Sequence, residues 1–229
     1  MKRTVIGAMT LLVVGTVGVG ARAQISNQQT DRIRASAEVL AEVRGEPDKD
    51  IPRDLWERAQ CVVVVPGLKK AAFGFGGEYG KGMMSCRREG VFGAPVFMEL
   101  EKGSWGFQIG GESIDLVLLV MNQSGMKKML GDKVSLGADV SLAAGPVGRN
   151  AAASTDAELH AEILSYSRAQ GLFAGIDVSG GVLRPDVDAN HDLYGHDVAA
   201  RAVLSDGRRA PDSTRDFMSA LAHERPAGR

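Results

Sequence analysis

The sequence predicts an α+β domain, with an N-terminal helix packed on a strongly curved, glycine-rich antiparallel sheet or small barrel. Three observations carry that expectation. Apolar residues between Asn27 and Arg44 recur at three- and four-residue spacing, the period of a helix. From Cys61 onward the period drops to two, the period of a strand. The chain also holds 29 glycines in 229 residues, well above the usual ~7%. They show no Gly-X-Y repeat and fall among short apolar runs, where they let strands bend and approach closely.

In chain order, Asn27 or Thr30 can cap the first helix, with Ile33, Ala37, Leu40, Ala41 and Val43 on its apolar side. Arg32, Arg34, Glu38 and Glu42 cover the other side, and Gly45-Glu46-Pro47 stops it. Pro52 opens a short second helix to Ala59. Cys61 to Val65 is a β-branched run ended by Pro66-Gly67, and Ala71 to Ser85 is a glycine-dense strand region. Val96 to Glu101 and Ser104 to Gly110 read as a hairpin about Lys102-Gly103. Ile114 to Met121 fits a buried strand or a short helix, and Ser124 to Leu130 a weak helix. Val134, Leu136, Ala138, Val140 and Leu142 alternate with polar or small residues and predict a half-buried strand. Thr155 caps a stretch from Asp156 to Arg168 that begins as a helix. A turn at Ala169-Gln170-Gly171 leads into an alternating strand from Leu172 to Val178, and Asp212 to His223 forms an amphipathic helix before a frayed tail.

Residues 1–23 read as a cleaved signal peptide. Lys2 and Arg3 precede an apolar stretch from Val5 to Val19, and Ala21-Arg22-Ala23 places small residues where a signal peptidase cuts. A retained anchor is the alternative, but the stretch is shorter than a typical ~20-residue span. The expected mature chain is a single domain, residues 24–229, with a short C-terminal tail, located in the periplasm or secreted. In such a compartment Cys61 and Cys86 invite a disulfide, with two buried thiols as the alternative.

Composition and motifs exclude more chemistry than they support. A formal net charge of -1 excludes a nucleic-acid-coating protein, and 44% apolar with 24% charged residues excludes wholesale disorder. There is no G-x-S-x-G, and the four histidines form no H-E-x-x-H pair. The run from Phe73 to Gly82 lacks the spacing of a phosphate loop, since Gly82 stands where Ser or Thr must follow the lysine. No enzyme and no cofactor is therefore expected. Asp186, Asp188, Asn190, Asp192 and Asp197 match oxygen positions of a calcium loop, but His191 replaces its glycine, and an acidic turn is the plainer reading. Paired basic residues recur at Lys69-Lys70, Arg87-Arg88, Lys127-Lys128 and Arg208-Arg209, with Arg149 alone. They are solvated faces unless several converge on anionic headgroups.

An ordered set of short motifs resembles the SYLF domain family, in particular its exported bacterial branch. The set runs through Ile51-Pro52, Val62 to Pro66, Lys70, Gly74 to Gly82, Cys86-Arg87, Ala94-Pro95 and Gly106 to Gly110. It continues with Leu136 to Asp139, Ala144 to Arg149, Tyr166-Ser167, Gly171 to Gly175, Asn190 and Tyr194-Gly195. One departure is Phe92-Gly93, where the family usually carries Trp-Ser. The resemblance implies phospholipid or membrane-surface binding, with basic residues and an amphipathic N-terminal segment contributing. On that reading Lys69, Lys70, Arg87, Arg88 and Arg149 meet headgroup phosphates. An envelope protein partner without lipid binding is the alternative.

Overall fold

The computed structural model describes residues 25–43, 51–73, 75–105, 110–147, 160–169, 172–195 and 198–222. Six helices and ten strands lie among them, and the strands form a strongly curled half-barrel. The helices are α1 (Asn27–Val43), α2 (Arg53–Arg58), α3 (Gln123–Met129), α4 (Val187–Tyr194), α5 (Ala200–Ser205) and α6 (Arg215–Ala222). The strands are β1 (Cys61–Phe73), β2 (Phe75–Arg88), β3 (Val91–Phe92), β4 (Val96–Trp105) and β5 (Gly110–Val120). They continue with β6 (Val134–Ser135), β7 (Leu142–Ala144), β8 (Ile163–Ala169), β9 (Leu172–Gly175) and β10 (Val182–Pro185). The order across the sheet is β6-β10-β4-β2-β1-β5-β8-β7, with β3 beside β2 and β9 beside β8. All pairings between these strands are antiparallel except β7 with β8.

Both faces of the central strands are buried, which explains their unbroken apolar runs. On β1, Cys61, Val63 and Val65 join one core with Leu116, Leu118 and Val120 of β5, Met129 of α3 and Val203 and Leu204 of α5. Val62 and Val64 join a second core with Val117 and Leu119, roofed by Ile33, Leu40 and Val43 of α1 and Phe217 and Leu221 of α6. The curl is tight enough to forbid side chains on one stretch of β2: a Cβ on Gly82 would lie 1.9 Å from the Val64 carbonyl oxygen. Cys61 and Cys86 face each other in the β1–β2 register and are joined by a disulfide.

Several sequence expectations change. Pro66-Gly67 does not end β1 but forms a bulge within it, where Gly67 has φ +58° and its N–H donates to Asp115 Oδ1 at 2.9 Å. A proline survives in a central strand there because the bulge needs no ladder hydrogen bond from it. Lys102-Gly103 is no hairpin turn, since β4 runs straight through it, paired to Glu78 and Gly77 of β2. Ile114 to Met121 resolves as strand through Val120. The alternating stretch from Val134 to Leu142 is two short strand pieces around a turn, with Gly137 at φ +85° and Asp139 accepting the Ser135 N–H at 2.7 Å. Val134, Leu136 and Val140 are buried as the alternation predicts, but Ala138 lies exposed in the turn, where a side chain rather than a strand ladder holds the backbone. The end of the stretch read from Asp156 to Arg168 is strand β8, while its beginning lies outside the described residues, as do the leader, Arg149 and Asp197.

Candidate functional site

A groove of about 540 Å³ runs between α1 and the sheet. Its helical wall starts at a capping box: Gln29 N–H donates to Ser26 Oγ and Ser26 N–H to Gln29 Oε1, so Ser26, not Asn27 or Thr30, begins α1. With Ile33, Leu40 and Val43 turned to the core, Asp31, Arg32, Glu38 and Glu42 look across at Lys69, Tyr79, Lys81, Asp115 and Arg168.

Nearly every charge along that groove is paired. Arg32 and Lys81 each reach Asp186 Oδ2 at 2.8 Å, and Asp186 is 7% exposed. Burial pushes the Asp186 carboxyl up, but hydrogen bonds from Lys81, Arg32 and the Ala189 N–H together hold it below the ordinary carboxylate value. The Lys81 ammonium is raised chiefly by its hydrogen bond to Asp186. The chain of charges continues from Lys81 to Glu99 at 3.7 Å and from Glu99 to Arg184 at 2.6 Å. Arg168 bridges Glu42 and Asp115 at the other end. These pairs, with Gln29 Nε2 donating to Asp192 at 2.7 Å, fasten α1 to the sheet and to α4. They are structural devices that leave little free charge for a ligand.

The structure divides the basic residues singled out from sequence. Lys69 and Lys70 stand opposite Tyr79 and Glu78, and Arg88 lies ten residues further along β2, about 30 Å at strand rise. The two pairs therefore form no common site. Arg87 lies over the Phe92 ring at 4.0 Å and donates to the carbonyls of Ala59 and Gly90. Arg88 points to the other face and donates to the Ser205 carbonyl. Among the described residues, Lys69, Lys70 and Arg88 have no carboxylate ion-pair partner.

The candidate cation loop is instead helix α4. Asp186 is its N-cap, accepting the Ala189 N–H, and is already committed to Arg32 and Lys81. Asp188 is exposed, Asp192 holds Gln29, and Asn190 is 2% exposed against the sheet. Among the described residues no group of three His, Cys, Asp or Glu side chains could hold a metal ion. Asn190 has a different task. Its amide accepts the Phe97 N–H at 2.8 Å and donates to the Phe97 carbonyl at 2.9 Å, continuing the β10–β4 ladder where β10 ends. One turn later the Tyr194 hydroxyl donates to the Pro95 carbonyl, and burial raises its pKa.

A second polar cluster joins α3 to β7 and β8. Glu162 accepts from Lys128 Nζ at 2.7 Å, Ser124 Oγ at 2.5 Å and the Ser141 N–H at 2.9 Å. Those donors, Lys128 first, hold its carboxyl down at about 2. Sequence reasoning missed both polar clusters, because Arg32, Lys81 and Asp186 lie on separate elements and no local spacing connects them. The cap was legible, in the Ser26-x-x-Gln29 pattern.

No helix among the described residues is long and apolar enough to cross a membrane. A family model described as "Ysc84: Las17-binding protein actin regulator" matches residues 101–224. LAS seventeen-binding protein 3 of Saccharomyces cerevisiae is 34% identical over 168 residues, covering 72% of this chain and 36% of the relative. An SH3 domain-containing protein of Schizosaccharomyces pombe is 37% identical over 160 residues, covering 68% and 37%. The SH3 domain-containing YSC84-like protein 1 of Homo sapiens is 28% identical over 180 residues, covering 78% and 52%. This chain thus spans between about a third and about half of these relatives' lengths. The matched stretch carries the second half of β4, strands β5 to β10 and the helix of Asn190 and Tyr194, and it places the chain in the Ysc84, or SYLF, domain family.

Proposed function

We propose that this chain is a non-enzymatic binding domain for anionic phospholipid surfaces, exported and working in the cell envelope. The observation that carries the reading is the unequal treatment of charge. Among the described residues, Arg32, Lys81 and Arg168 along the α1 groove are matched to carboxylates, whereas Arg88 and Arg208 have no carboxylate ion-pair partner. Unpaired cations on a chain of near-zero net charge suit a surface that supplies phosphates. The sequence of residues 1–23 supports export, with processing after Ala23.

Flotation of the purified protein with vesicles tests this. Co-flotation that requires anionic lipid and weakens as salt rises is the expected result. Absence of flotation at every lipid composition overturns it. The name of the yeast relative as a binding protein, and the description of the family as an actin regulator, favour a second reading as a protein-interaction module. On that reading vesicles are ignored and an envelope protein is retained. Export is tested separately by fractionation, with a mature N-terminus expected at Gln24.

A further inference from the structure

We infer that the β2–β3 hairpin tip, with the turn at residues 205–209 beside it, is the face by which this protein meets an anionic bilayer. Val91 enters the headgroup region, while Arg88, Arg208 and Arg209 engage phosphates. The inference rests on the phospholipid reading and assigns it to one end of the molecule.

The tip is built to hold its side chains outward. Glu89 and Gly90 have φ of +50° and +86°, the two positive values of a tight two-residue hairpin turn. Glu89 is the one described non-glycine residue with positive φ, a conformation L side chains rarely adopt. The turn thus presents Val91 at 72% exposure, the most exposed of the large hydrophobic residues described. Val91 is the cross-strand partner of Arg88, so the two share a face.

That face continues across the 205–209 turn. Arg88 donates to the Ser205 carbonyl and lies so close to Gly207 that a Cβ there would meet its Nη1 at 3.0 Å. The contact fixes exposed Arg208 and Arg209 next to the hairpin. Arg209 approaches Asp212 only at 3.9 Å, with the two side chains 91% and 78% exposed. Glu89 and Asp206 offset part of the charge, but an apolar residue beside the Arg88 guanidinium, with Arg208 and Arg209 on the adjoining turn, matches an interface with phosphates above and hydrocarbon below.

The lysine end lacks this complementarity. Lys70 stands in register between Glu78 and Glu112. Lys69 opens on a groove where Asp31, Glu38, Glu42 and Asp115 balance Lys69, Arg32, Lys81 and Arg168, so the groove presents no net positive charge to an anionic headgroup.

The test compares variants at both ends by flotation with phosphatidylglycerol–phosphatidylcholine vesicles at low salt, each variant first checked for an unchanged thermal melt. Removing two charges with Arg208→Gln/Arg209→Gln should lower the partition coefficient about 25-fold, roughly fivefold per arginine at an anionic surface. Val91→Asp should lower it at least tenfold, and Lys69→Gln/Lys70→Gln should leave it within about twofold. An environment-sensitive fluorophore on Val91→Cys should shift to the blue on vesicle addition; both native cysteines are already joined to each other. If the wild type floats and the tip variants float equally, or the lysine variant alone fails, the inference is overturned while the phospholipid reading stands. If the wild type does not float, both are overturned.

Discussion

Glu162 offers a quantitative check on how the polar clusters hold this fold. Its carboxyl titrates at about 2 when folded, against 4.5 in an open chain. A folded value below the unfolded one means that the stabilisation is complete above pH 4.5 and is lost as pH falls toward 2. If the whole difference were realised it would amount to about 3 kcal/mol. Its main partner Lys128 is 42% exposed and is screened by solvent, which brings the expected effect to about 2 kcal/mol. Glu162→Gln keeps the shape and removes the charge. With a urea m-value of roughly 2–3 kcal/mol/M for a chain of this size, its unfolding midpoint at pH 7 should fall by just under ~1 M. At pH 3 the gap between variant and wild type should shrink to less than half. Equal gaps at the two pH values would refute the reasoning, because the contribution would then come from packing or neutral hydrogen bonding rather than from the charge. No gap at either pH would mean that Lys128, Ser124 and Ser141 are equally well satisfied by water.

Other substitutions probe different terms. Asn190→Ala leaves the Phe97 N–H and carbonyl without the amide that completes their ladder; a loss of about 2–4 kcal/mol is expected in chemical denaturation. A change of less than about 0.5 kcal/mol would mean that water replaces the amide. Gly82→Ala puts a methyl group into the β1 backbone, and the expected outcome is insoluble protein on expression; a soluble variant with wild-type melting would show that the curl is not as tight as described. Ser36 Oγ on α1 is fully buried with no hydrogen-bond partner among the described residues, so Ser36→Ala should melt at the same temperature or higher, and a clear drop would reveal a partner.

The helix-to-strand change near Cys61, the glycine-dense curved sheet and the short terminal helix were all legible, because each rests on local periodicity or on backbone sterics. Expectations failed where a tertiary contact outweighed the local signal. The bulge at Pro66-Gly67 lets β1 continue past a residue pair that normally ends a strand, with Asp115 from another strand securing it. Lys102-Gly103 resembles a hairpin turn, yet β2 lies alongside and holds it extended. The acidic run from Asp186 resembled a loop for cations, but Arg32 and Lys81 arrive from α1 and β2 to neutralise its first carboxylate.

The basic residues mark the same boundary. Residue order is enough to supply Arg88, Arg208 and Arg209, and to specify a curled α+β domain of a recognisable family. That Arg88 joins the 205–209 turn and parts from Lys69 and Lys70 follows from the folded chain. Convergence of distant residues depends on strand register and on which face each side chain occupies. Both are set by long-range pairing, which a periodicity read along the chain does not contain.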